Sequence, residues 1–294
     1  MRIKTQRTIW AYTFISPNIL CFIVFLLIPV LLSFVIAFKD FRALKGIWNS
    51  PWVGFSNFVY IFGDYVFWKA LVNTVIFTFI MVPQTVLMSL ILASLIYPIS
   101  LKAQSFFRAA YYLPGLISAV IISIIWKWMY DPTWGLFNFL LNQIGIPSQP
   151  WLTSSSTSLF SIILSCMLYA PGAGIILYLA ALARVPQSIT EASIIDGASP
   201  MQRWLHVMIP LVKPTTLYLV VMNTIYSFQV FTNIYIMTGG GPGHSSTTLV
   251  YHIYDLAFKQ GKFGPASAVA LVLFVLVSFF AFFQFKYLQS DVEY

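Results

Sequence analysis

Between Arg184 and Pro210 the chain reads RVPQSITEASIIDGASPMQRWLHVMIP, a polar-containing loop with strong helix punctuation. Ser188 followed by Glu191 has capping-box spacing, which predicts a helix starting near Ile189. Gly197 supplies a C-terminal stop. Ser199 is a second N-cap, with Pro200 at the first helical position and Gln202 completing a second box. This second helix is expected to end before Pro210, because proline has no N–H to donate and its ring crowds the preceding turn. The reading is two short helices meeting at a glycine turn. Ile189, Ile194, Ile195, Trp204, Leu205 and Met208 give the pair more apolar surface than a solvent-facing loop needs. Exposed apolar patches of this kind mark partner contacts.

On both sides the loop joins runs that no water-soluble surface would carry. Of 294 residues, 59% are hydrophobic and only 8% charged, against about 25% charged in a soluble domain. A bilayer span needs about 20 mostly apolar residues, and the spans read from the sequence are 11–38, 70–97, 109–130, 158–183, 212–237 and 265–287. The fold expected is an all-α integral membrane protein, a single transmembrane domain over residues 1–294 with the 184–210 loop inside it. Arg2, Lys4 and Arg7 resemble the basic start of a signal peptide, but the apolar run behind them is too long for one, so it is read as a retained first helix. The formal charge of +8 sits mainly in loops and at helix ends, as membrane anchoring requires, and does not point to nucleic acid. With both termini inside, the inner segments hold a slight excess of Lys and Arg. Prolines fall within or at the ends of all the spans, either as tolerated kinks or as bends around a cavity.

What the spans lack narrows the function. None carries a deep Asp, Glu, Lys, Arg or His, which argues against a proton-coupled carrier and a voltage sensor. A sodium-coupled carrier remains open, since carbonyls and hydroxyls can bind that ion. Gly261-Lys262-Phe263 lacks the upstream glycine and following Ser or Thr of a P-loop, so uphill transport would draw its energy from another protein. Cys21 and Cys166 have no metal-ligand spacing, and His206, His244 and His252 do not pair with carboxylates at ligand spacing, which weighs against a membrane enzyme.

Glu191-Ala192-Ser193, Gly197 six residues after the glutamate, and Val207-Met208-Ile209-Pro210 resemble the EAA motif of binding-protein-dependent ABC importer permeases. The usual pattern is Glu-Ala-Ala, three residues, Gly, nine residues, Ile-x-Leu-Pro. This chain departs from it conservatively at Ser193, Val207 and Ile209. The runs from Phe106 to Pro114, Trp126 to Pro132 and Thr238 to Pro242 look like the carbohydrate branch, related to maltose and glycerol-3-phosphate permeases. The resemblance implies six transmembrane helices of the type I importer kind in a prokaryotic cell membrane, with both termini cytoplasmic. It implies ATPase docking by Glu191, Ala192, Asp196, Gly197 and Pro210. On the residues alone, Glu191 reads equally as a helix cap, Asp196 as a solvated charge and Gly197 as a plain helix stop. The implied partners are a second homologous permease, two ATP-binding cassette subunits that bind ATP and Mg, an extracytoplasmic solute-binding protein and membrane lipid. The long outer loops, 39–69, 131–157 and 238–264, would form docking rims for the binding protein. The chain itself would hold no cofactor and catalyse no reaction.

Asn223, Tyr226, Ser227 and Val230 fall at helical spacing on one face of the fifth span, bordered by Gln229 and Asn233. The resemblance makes these, with Ser165, Tyr169 and Gly172 of the fourth span, the sugar path. The residues alone also allow helix–helix hydrogen bonding. A phosphate-bearing substrate would want a buried cation, and the fifth span has none, which leans toward a neutral di- or oligosaccharide with glycerol 3-phosphate still open.

Overall fold

The computed structural model describes the backbone of residues 2–41, 46–169 and 171–288, and side chains from Trp10 onward; the side chains of Arg2, Lys4 and Arg7 lie outside the described residues. The described secondary structure is helical apart from one isolated bridge between Lys39 and Trp52. The first span is α1 (Arg2–Phe22) and α2 (Ile28–Ala37), joined by a π-turn over Ile23–Leu27. Then come α3 (Gly46–Asn49), α4 (Ser56–Gly63) and the long α5 (Tyr65–Ile96). The third span is α6 (Leu101–Tyr112) and α7 (Ala119–Met129), followed by the loop helix α8 (Leu136–Gln143). The fourth is α9 (Ser158–Met167) and α10 (Gly172–Leu182). The 184–210 region forms α11 (Gln187–Ile195), α12 (Pro200–Arg203) and α13 (Ile209–Leu211). The fifth span is α14 (Lys213–Phe228) and α15 (Thr232–Met237); α16 (Leu249–Tyr254) and α17 (Phe263–Leu288) complete the chain. Four helical runs are long and apolar enough to cross a membrane alone, and two bent pairs bring the total to six when each counts as one span.

The third span differs from the expected continuous helix over 109–130. It starts earlier, at Leu101, and turns through 86° between Leu116 and Ala119. Pro114 and Gly115 end the first half in a tight turn, Ile117 is extended, and the Ser118 hydroxyl caps α7 by accepting from the Val120 amide at 3.3 Å. Pro114 marks the place in the sequence, but a proline alone does not distinguish a tolerated kink from a bend this sharp.

The chain divides into two compact units. One joins the chain up to Asp64 with Ile253–Val272. There Asn57 Nδ2 donates to the carbonyls of Ala37 (2.8 Å) and Lys39 (3.0 Å), fastening α4 to the end of α2, while Phe38 packs against Trp52, Phe55 and Phe58. The other unit joins Tyr65–His252 with the chain from Leu273 onward. Its spine is α5, which carries residues of two apolar clusters. Val82, Val86 and Leu90 pack with Ile175, Leu179 and Leu182 of α10 and Leu219 of α14. Phe77 packs in the other cluster with Tyr130, Ile162 and Ile234. Several polar groups within this unit find partners on other helices and loops, as a lipid surrounding demands, although the buried Thr78 hydroxyl has none. Asn73 Nδ2 donates to the carbonyls of Ser245 (3.0 Å) and Thr247 (2.9 Å), and Thr74 Oγ1 accepts from the Leu249 amide (2.9 Å).

Beyond α7 the Asp131 carboxylate accepts from the amides of Thr133 (2.8 Å) and Trp134 (2.9 Å), which hold it below the usual carboxylate range. The lowered value means the turn gains from ionisation above the unfolded aspartate pKa and loses that gain as pH falls through the folded one. Acidification should therefore speed amide exchange at Thr133 and Trp134 beyond the change in intrinsic rate. Unchanged protection there on protonation of Asp131 contradicts this.

Candidate functional site

The 184–210 loop folds as a pair of short helical segments, with differences from the expected punctuation. Helix α11 begins at Gln187, ahead of the expected start, because Pro186 (φ −58°, ψ 130°) already sets an extended entry. Ser188 consequently caps nothing, and the Ser188–Glu191 box does not form. Glu191 Oε1 instead accepts from Gln187 Nε2 at 2.7 Å, one turn back on the exposed face. At the far end Asp196 is the C-cap and Gly197 takes φ +78°. The Gly197 amide bonds the Ile194 carbonyl and the Ala198 amide bonds Ser193, both at 3.0 Å, the paired bonds of a Schellman stop. The Ser199–Gln202 box is present in both directions: Gln202 N to Ser199 Oγ at 3.3 Å and Ser199 N to Gln202 Oε1 at 2.8 Å.

Pro210 does not stop the second helix. The turn over Trp204–Met208 widens to a π-turn, whose closing bond runs from the Ile209 amide to the Trp204 carbonyl. Helix α13 then passes through Pro210, and the break falls at Val212 (φ −91°, ψ 7°). A π-bulge of this kind re-spaces the carbonyls, so a proline fits without a break. The outward apolar patch is also smaller than expected. Ile189, Ile194, Ile195 and Leu205 are exposed, Ile195 at 85%. Trp204 and Met208 turn inward against the α5–α10 cluster, where Trp204 Nε1 donates to Ser94 Oγ of α5 at 2.8 Å. One end of the pair is thus tied to the transmembrane core while the Ile194–Ile195 rim and the Glu191 carboxylate face outward.

The polar residues picked from the fourth and fifth spans converge. Ser165, Tyr169, Asn223, Tyr226, Ser227, Gln229, Val230 and Asn233 all line one cavity of about 530 Å³. The reason differs from a single continuous helix face. Asn223, Tyr226 and Ser227 share a face of α14, but the helix ends at Phe228, and Gln229–Phe231 forms a break before α15. That break brings Gln229, Val230 and Asn233 to the cavity. Tyr226 is largely open, 65% exposed, and Gln229 is exposed as well. Asn223 Nδ2 is held by the Leu219 carbonyl at 2.7 Å, and Ser165 Oγ donates to the Ile162 carbonyl at 2.6 Å. Both side chains are therefore oriented by their own helices and have oxygen lone pairs left to accept with.

Sequence reasoning missed the wall supplied by α5 and the third-span break: Phe77, Met81, Thr85, Gly115 and Ala119. The Gln84-Thr85 pair, polar in an apolar run, was the available signal. Gln84 Nε2 donates to the Met167 carbonyl at 3.1 Å, where α9 ends.

A second cavity of about 920 Å³ shares Thr85, Tyr169, Asn223 and Tyr226 with the first and continues past Gly172 to Leu177 and Tyr218. A third, about 480 Å³, shares Leu177 and Tyr218 and reaches Arg184. Gly172 is required there by packing, since a Cβ would run into the Tyr111 backbone. The three cavities together run from the α14–α15 break to the first residue of the 184–210 loop. Among the described residues lining the first two, none is Lys, Arg, Asp or Glu.

Up to six candidate spans, a groove within the larger unit and an outward two-helix loop are features expected of a transporter's membrane subunit. The chain belongs to the family described as "Binding-protein-dependent transport system inner membrane component", whose model matches residues 65–294. It is 31% identical to the trehalose/maltose transport system permease protein MalF of Thermococcus litoralis, over 97% of this chain and 95% of that one. It is 35% identical to the lactose transport system permease protein LacF of Rhizobium radiobacter, over 96% of this chain and 95% of that one. A chain from the crystal structure of a bacterial ABC transporter involved in importing the acidic polysaccharide alginate superposes with a TM-score of 0.85, at 25% identity, covering 100% of both chains. The all-α, type I importer fold and the permease class are thereby established.

Proposed function

We propose that this chain is one of two homologous permease subunits of an ATP-driven importer and moves a neutral sugar of di- or oligosaccharide size into the cytoplasm. The observation that carries this reading is the groove, which begins among amide and hydroxyl side chains and ends beside the outward two-helix loop. Sugar hydroxyls pair with Asn223, Ser227, Gln229 and Asn233, and the apolar ring face lies against Tyr226 or Tyr169. The cavity volumes suit a small-molecule ligand. Two named relatives carry disaccharides. The absence of Lys and Arg among the described lining of the first two cavities favours a neutral cargo over glycerol 3-phosphate or an acidic sugar.

Energy enters from outside the chain. Two ATP-binding cassette subunits, which bind ATP and Mg, dock on the rim of Glu191, Ala192, Ile194, Ile195 and Asp196. Closure of those subunits moves α12 and α13 as a body, and Trp204, bonded to Ser94, passes the motion to α5. Pro210 acts by seating the helix on its π-turn. A solute-binding protein delivers the sugar at the opposite face. An ATP-independent carrier would have no use for this loop.

The arrangement requires the 184–210 loop and both termini to be cytoplasmic. Ser188 is exposed and caps nothing, so Ser188→Cys in a chain lacking Cys21 and Cys166 is a mild probe. It should react with a membrane-impermeant maleimide only after the cells are permeabilised. Labelling from outside intact cells contradicts the topology.

A further inference from the structure

Helix α8 is built inside out. Its polar Asn138 points inward, 2% exposed, and clasps the following loop. Asn138 Oδ1 accepts from the Gln149 amide and from Trp151 Nε1, both at 2.9 Å, while Nδ2 donates to the Gln149 carbonyl at 3.1 Å. Phe137 turns inward beside it and stacks on Trp126 of α7 with ring centres 5.6 Å apart. The opposite face carries Leu136, Phe139 and Leu140, at i, i+3 and i+4, all exposed; Phe139 is 59% exposed, and flanking Trp134 is 89% exposed. A loop helix in water turns its apolar stripe toward the core and its polar face out.

The surroundings that suit this face can be read from its chemistry. From Pro132 to Ala183 the chain contains no Asp, Glu, Lys, Arg or His. A protein partner steered and registered by complementary charge finds nothing to read there. Aromatic rings, aliphatic side chains and amides without charge are the composition of a membrane–water interface. The preceding candidate span is apolar and open as well, since Ile121, Ile125 and Trp128 of α7 are exposed up to its end. We propose that α8 and its flanks, Trp134 to Ile144, lie in the lipid interface of the leaflet opposite the 184–210 loop. Phe139, Leu140 and Ile144 dip among the acyl chains, Asn142 stands at headgroup level, and Gln143, which continues the Leu136–Phe139–Leu140 face at i+7, extends its amide toward the headgroups. The anchor is apolar, so its depth is independent of anionic lipid and of salt. The binding protein is then left the other segments of the outer loops.

The test uses the full chain with its co-purifying subunits in phosphatidylcholine nanodiscs. Nitroxides are placed by Phe139→Cys and, separately, Ile144→Cys in a chain lacking Cys21 and Cys166, with exposed Ser155→Cys as the water control. Power saturation should show both labels reached by oxygen and shielded from a nickel chelate, the reverse at position 155. The pattern should persist with 20% anionic lipid or 0.5 M salt (about the range over which charge attraction is screened). Nickel access at 139 and 144 equal to that at 155 overturns the assignment. Shielding that appears only when liganded binding protein is added overturns it too, and makes the face a protein dock. Quenching of the Trp134 component, defined by difference from Trp134→Phe, by lipids brominated near the headgroup gives a label-free reading. Absence of that quenching contradicts the proposal.

Discussion

Gly197→Val leaves a permease that inserts normally and no longer transports at a useful rate. The residue sits at φ +78° with nothing within 4 Å of where a Cβ would stand, so the substitution meets no neighbour and acts through the backbone alone. A left-handed conformation costs an ordinary L-residue roughly 1–2 kcal/mol, and a β-branched side chain is worse placed still. That shifts the equilibrium away from the intact stop by about five- to thirtyfold. Without the stop, α11 and α12 change their mutual angle and the Ile194–Ile195 rim misses its seat. The effect should be graded: Gly197→Asn close to wild type, Gly197→Ala intermediate, Gly197→Val most impaired, because asparagine tolerates this conformation. Uptake at matched membrane abundance measures it. Wild-type uptake by the valine variant removes the turn from the mechanism.

Tyr226→Ala lowers transport about tenfold or more while assembly and basal ATP hydrolysis stay intact. The tyrosine is largely open to the first two cavities, so its removal disturbs little packing. With sugar bound and the partner permease closing the path, the hydroxyl would be buried, and a hydrogen bond lost from such a site costs about 1–3 kcal/mol, to which the lost ring face adds. Tyr226→Phe keeps the ring and should lose less, which separates stacking from hydrogen bonding. Asn223→Ala should resemble Tyr226→Ala, since its amide is pre-oriented by Leu219. Uptake of labelled sugar beside ATPase activity in reconstituted vesicles decides the matter. Equal uptake by both alanine variants makes the polar face packing alone.

Local signals with a short physical range were legible in the sequence. Gly197 and the Ser199–Gln202 box occur as read because turns and caps depend on neighbouring residues. The cavity set from Ser165 to Asn233 was readable because polar residues in a membrane span must face something other than lipid. What failed to show depends on competition or on tertiary packing. Pro186 overrode Ser188 at the start of α11, and a π-turn let the helix pass Pro210. The angle of the third-span bend at Pro114 is set by packing and not by the proline alone, and the inward turn of Trp204 depends on Ser94 in a distant helix. The α5 wall of the cavity, Met81 and Thr85, likewise comes from packing between spans.

The central claim is that the chain conducts sugar only when ATPase subunits act through its 184–210 loop. Vesicles holding this chain with its partner permease and ATPases, supplied outside with the solute-binding protein and labelled oligosaccharide, test it directly. The account predicts accumulation above the external concentration with ATP inside, none with a non-hydrolysable analogue, and loss of accumulation in Gly197→Val. Downhill flux through this chain alone, without ATP or partners, would contradict it.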